Sequence, residues 1–176
     1  TASQAGIFSV RDDLAPSSLQ RTIRRLDFGW GDMAVLPSGT FQGMSSLVAL
    51  QLRDLTLDAL PAGAFSGLAS LTYLSLPSNH IAALPDGVFR GMSSLRRLDM
   101  AANQLTAIPA GVFYGLSSLR EVDMCANQLT ALPEGVFHGL PSLAVVNLSS
   151  NQLTAYPGGA LFGVLPRAPI LDVTNN

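Results

Sequence analysis

From Leu36 to Ala155 the apolar and polar positions repeat every 24 residues, in five copies that begin at Leu36, Leu60, Leu84, Ile108 and Leu132 without insertion or deletion. In the third copy the apolar positions are Leu84, Phe89, Met92, Leu95, Leu98, Met100 and Leu105. The alternation Leu98, Asp99, Met100 is the period of a short strand with one face buried. A strand this short has no stability of its own. A fixed period of this size predicts a stacked array in which each copy supplies one strand, one return and one re-entry, with neighbouring strands parallel and in register. Energetics require the stacking. Roughly seven apolar side chains at about 1.5–3 kcal/mol each compete with a backbone-ordering cost of roughly 1–2 kcal/mol per residue. One copy alone cannot bury its apolar set, so stability is a property of the array.

Three polar or bulky columns follow the same period. Asn79, Asn103, Asn127 and Asn151 stand where the chain must bend after each strand. A buried Asn amide there would bond backbone groups of its own coil and the next one, forming a structural ladder that Asn176 continues. Phe41, Phe65, Phe89, Phe113 and Phe137 predict a packed spine, and Pro-x-Gly pairs such as Pro85 with Gly87 open each outer return. The phase extends towards the N-terminus. Ile23, Leu26, Phe28 and Met33 align with Leu47, Leu50, Leu52 and Leu57, which places a strand at about 25–27. Gly31 and Leu55 occupy the Asn position of the first two coils, so those bends must be satisfied differently and with looser geometry. Before them, Ile7 to Val10 read as a short strand and Arg11–Asp13 as a charged turn, together covering the first coil. After Tyr156 the segment 158–162 carries one extra residue, and Leu171 to Asn176 restores the strand motif.

The motif LPxGxFxGLxSLxxLxLxxNxLTx resembles the "typical" 24-residue leucine-rich repeat of Toll-like receptors, variable lymphocyte receptors and small proteoglycans. The resemblance implies an α/β solenoid or horseshoe, with a parallel β-sheet on the concave face and loops or short 3₁₀ or helical turns on the convex face. It implies a recognition role rather than catalysis, and an extracellular, secretory or organelle-lumen setting. Extracellular relatives usually carry Cys-rich caps, whereas this chain has one cysteine, Cys125. The expected organisation is one domain over 1–176: a cap and degenerate repeat at 1–35, five regular repeats at 36–155, and a truncated last repeat at 156–176. A chain that begins at Thr1 without Met is expected to be a processed product. One that stops at the ladder residue Asn176 is expected either to continue in nature or to be sealed there by a partner.

Composition narrows the function. The chain is 48% hydrophobic and 12% charged, about half the usual charged share, so some of its surface is expected to be covered in the working state. A net charge of −2 argues against nucleic-acid binding driven by phosphate contacts, and no apolar run reaches the roughly 18–20 residues of a membrane span. His80 and His138 fall in different parts of the coil and share no metal-ligand spacing with Cys125, and no His stands beside Cys125 to activate it. No cofactor, metal site or catalytic residue is expected. Asn147-Leu148-Ser149 is a formal glycosylation sequon, expected to be unused because a glycan there would obstruct the concave face.

The residues between buried strand positions define that face. Its middle column is Asp27, Gln51, Ser75, Asp99, Asp123, Asn147 and Asp172. One pleat earlier stand Arg25, Ala49, Tyr73, Arg97, Glu121, Val145 and Ile170; one pleat later, Gly29, Arg53, Pro77, Ala101, Cys125, Ser149 and Thr174. Two readings are open. One is a solvated polar face with partial Arg–Asp compensation. The other is a protein-binding patch centred on Arg97, Asp99, Glu121 and Asp123, with Arg25, Asp27, Arg53, Tyr73 and Trp30 beside it, since Tyr, Trp and Arg dominate interface energetics. Trp30, the single Trp, either packs under the cap or stands as an exposed anchor. The function expected is a non-catalytic interaction module for a partner protein. The alternatives are a scaffold subunit of a large complex and a fragment of an extracellular recognition receptor.

Overall fold

Seven short strands follow one another in the computed structural model, which describes residues 23–155 and 170–176. They are β1 (Arg25–Gly29), β2 (Ala49–Arg53), β3 (Tyr73–Ser75), β4 (Arg97–Asp99), β5 (Glu121–Asp123), β6 (Val145–Asn147) and β7 (Ile170–Asp172). They form one sheet in chain order β1 to β7, and every neighbouring pair is parallel. The register is the 24-residue repeat, with Leu50 paired to Leu74 and Leu98 to Val122, until the last pair, where Val146 meets Leu171, 25 residues on. Each coil returns to a position one strand further along, which makes a solenoid. The expected strand at residues 7–10, the turn after it and the slip at 158–162 lie outside the described residues.

The core runs along the inside of the coils. Leu98, Met100 and Leu105 are fully buried, as are the spine residues Phe89 and Phe137. Phe41 stacks on Phe65 at 6.3 Å between ring centroids, Phe65 on Phe89 at 6.1 Å, and Phe113 on Phe137 at 5.4 Å. Offset stacks of this kind add about 0.5–1.5 kcal/mol each beyond area burial. In the first coil Leu26 and Phe28 are only half-buried.

Among the described residues the outer returns are consecutive turns, without a helix or 3₁₀ segment. In the third regular coil Val88 N–H donates to Pro85 O, Arg90 to Gly87, Met92 to Phe89 and Leu95 to Met92. Gly87 and Gly91 supply left-handed backbone in this run, with φ of 64° and 85°, which a residue bearing Cβ rarely adopts.

The bends after the strands are held by the Asn column. Asn127 Oδ1 accepts the N–H of Leu105 in the preceding coil, and its Nδ2 donates to the carbonyls of Met100, Met124 and Cys125. Asn103 and Asn151 make the equivalent bonds. Asn176 accepts from Leu153 and donates to Leu148, Val173 and Thr174. The buried amides of Asn103, Asn127 and Asn151 thus satisfy backbone groups that the fold removes from water. The second bend, which has Leu55 in place of Asn, borrows from its neighbour: Asn79 Oδ1 accepts both Leu55 N–H and Leu57 N–H. It also contains two left-handed residues, Asp54 and Thr56, where the regular coils contain one. In the first bend Gly31 N–H donates to Asp54 O, and Met33 N–H to Leu55 O.

Candidate functional site

Parallel register brings residues 24 apart side by side, so the inner face is three columns of side chains on a rigid sheet. The candidate residues fall into two groups on it. In the first coils Arg53 reaches Asp27 at 3.3 Å, and Gln51 Nε2 donates to the same carboxylate at 3.4 Å. Arg53 lies across Gly29, where a Cβ would stand 3.3 Å from its Cγ; Gly29 leaves room for that stem. Arg25 is exposed beside them, without a salt bridge to a described residue. In the middle coils the Arg97 guanidinium lies 5.7 Å from the centre of the Tyr73 ring and 3.5 Å from Glu121. Ser75 Oγ donates to Asp99 Oδ2 at 3.3 Å. These ion pairs are about half exposed and worth about 0–1 kcal/mol each. They shape the face more than they stabilise it.

The middle column has a second role that its charge conceals. Asp99 Oδ1 accepts the N–H of Ala101, Asp123 Oδ1 that of Cys125, Asn147 Oδ1 that of Ser149, and Asp172 Oδ1 that of Thr174. Each is an Asx turn closing the strand. It precedes the left-handed residue that starts the bend, with φ of 52° at both Ala102 and Ala126. The donated Thr174 N–H holds the Asp172 carboxyl below its ordinary value of 3.8. Asp99 and Asp123 are in direct register, and the backbone N–H given to each offsets part of their mutual repulsion. The recurrence of Asp or Asn at this place in four coils was the available signal.

Cys125 sits in the third column, half-buried beside Asp123. Burial, reinforced by hydrogen bonding and repulsion from Asp123 and by Asp99, pushes its thiol up from 9.0 to about 11. That is opposite to what a nucleophilic thiol requires. Among the described residues no three His, Cys, Asp or Glu side chains gather to hold a metal, and no helix is long and apolar enough to cross a membrane.

Trp30 is 85% exposed and carries φ of 61°. It follows β1 directly, and the cap residues it was expected either to pack under or to stand clear of lie outside the described residues. Ile170 is 70% exposed, so the far end of the face presents an apolar side chain.

The leucine-rich repeat family model matches residues 22–81, 74–129 and 117–176. The chain belongs to the leucine-rich repeat family. Among solved structures, this leucine-rich repeat chain is similar to one in the Toll–Spatzle complex of Drosophila. The TM-score is 0.78 with 27% identity, over 92% of this chain and 22% of that one. It is also similar to a chain of the TLR13–ssRNA13 complex, with a TM-score of 0.79 and 27% identity over 87% of this chain and 21% of that one. It therefore spans about a fifth of the length of these solved chains. No curated protein matches it significantly.

Proposed function

We propose that this leucine-rich repeat chain is a non-catalytic protein-interaction module that takes its partner on the inner face of the sheet. The observation that carries the reading is the Tyr73–Arg97–Glu121 constellation, a guanidinium stacked on an aromatic ring and paired to a carboxylate across three adjacent strands. Such a group is flat and amphipathic, and Tyr and Arg are residue types that dominate interface energetics. Asp99 and Asp123 lie beside it, with Arg53, Asp27, Arg25 and exposed Trp30 as a second contact region on the first coils. The Toll–Spatzle likeness supports a recognition role and is compatible with a fragment of a larger receptor. Arg97→Glu tests the reading. Partner binding should weaken by about tenfold or more, as expected for a central charged contact, while the unfolding midpoint stays near that of the parent chain. Unchanged affinity would turn attention to the outer surface.

A second reading, a scaffold subunit held through its convex side, is favoured by Tyr114. It stands on an outer turn and is 85% exposed.

A further inference from the structure

The sheet has an edge where each coil enters its strand, and charge is distributed unevenly along it. The described residues just before the strands form the segments Ile23–Arg24, Ser45–Val48, Ala69–Thr72, Ser93–Arg96, Ser117–Arg120 and Pro141–Ala144, in which the charged side chains are Arg24, at the entry to β1, and the adjacent pair Arg96 and Arg120. Arg96 and Arg120 are neighbours, since Arg120 N–H donates to Arg96 O at 2.8 Å. Both are exposed, and neither has an ion pair among the described residues. The nearest acid along the chain, Glu121, is engaged by Arg97. The acids of the first two bends, Asp32, Asp54 and Asp58, come after β1 and β2, not before a strand. Two like charges about one strand spacing apart, near 4.8 Å at the backbone, repel each other, and no ion pair among the described residues neutralises either.

We propose that this entry edge of the fourth and fifth strands, Arg96 and Arg120 with Ser93 and Ser117 exposed beside them, is a second docking surface that takes an acidic segment of a partner protein. Guanidinium forks suit carboxylates, and two of them side by side fit a short run of Asp or Glu. The observations favour a peptide over a nucleic acid or a sulfated glycan. Only two cations are adjacent, Arg24 standing three strands away from Arg96, the edge segments hold no aromatic ring for base stacking, and the acidic column of Asp99 and Asp123 adjoins the pair. A long polyanion would have to pass that column. The surface is distinct from the inner face and does not depend on the reading given for it.

The test uses a fluorescent octaglutamate peptide in low salt, measured by anisotropy against the whole chain. The parent chain should bind it, and the double variant Arg96→Gln with Arg120→Gln should bind at least about tenfold more weakly. Both side chains are exposed, so circular dichroism should show the variant folded. The inner-face variant Arg53→Gln should change the affinity by less than about twofold. No binding by the parent chain, an equal loss in Arg53→Gln, or tighter binding of an oligoribonucleotide or sulfated oligosaccharide of matched charge would each overturn the proposal.

Discussion

Asp123 shows how one side chain serves both fold and surface. Its Oδ1 closes the turn after β5, while its charge contributes to the inner face. The two roles separate by substitution. Asp123→Asn keeps the acceptor and should leave stability within about 0.5 kcal/mol, whereas Asp123→Leu leaves the Cys125 N–H without its acceptor and should cost about 1–2 kcal/mol in urea unfolding. Cys125 reports on the same charge. Its folded thiol keeps its proton up to about 11, against 9.0 for the free group. Alkylation of the native chain should therefore rise with a midpoint near pH 11, and Asp123→Asn should move that midpoint down. The linked stability is intact below 9.0 and lost as pH rises from there through about 11. Sequence alone presents Asp99 and Asp123 as an exposed acidic pair. Their turn-closing role is hidden because it depends on side-chain rotamer and on a backbone conformation that no residue type announces at Ala102 or Ala126.

At the scale of the coil, the Asn column fixes the bend by joining each coil to the one before it. Replacing Asn127 with Leu would strand the Leu105 N–H and remove the donor shared by three carbonyls. A loss on the order of 2–4 kcal/mol is expected in denaturant unfolding; an unchanged midpoint would contradict the buried ladder. Phe113→Ala should cost about 3–5 kcal/mol by opening a gap in the spine. Strand positions, register, buried set and ladder columns were legible because one period governs them all, and an in-register stack has no freedom to place them elsewhere. The second bend was legible only as an exception. Leu55 showed that an Asn was missing, but the substitute is an extra bond in which Leu55 N–H donates to Asn79 Oδ1 of the next coil, which inspection of a single repeat does not reveal. The outer returns were open between loops and helical turns. Pro and Gly in each return, with left-handed glycines such as Gly87 and Gly91, resolve them into successive turns.

For the whole molecule, interior and surface are divided by column. Leu, Phe and Asn columns repeat nearly without change and build the stack, while the inner-face columns vary from coil to coil and so can encode a partner. That variation could be seen in the sequence, but its grouping into Asp27 with Arg53 and Tyr73 with Arg97 and Glu121 depends on rotamers across strands. The identity of the partner is written in no single column. Acidic residues happen to mark both sides of the coil. Asp99, Glu121 and Asp123 lie on the inner face, Asp86 and Glu134 on the outer turns. Carboxyl footprinting of the chain with and without a bound partner therefore reports directly on the surface used. Protection of Asp99, Glu121 and Asp123 with Asp86 and Glu134 still reactive is the predicted result; protection confined to Asp86 and Glu134 would contradict recognition through the inner face.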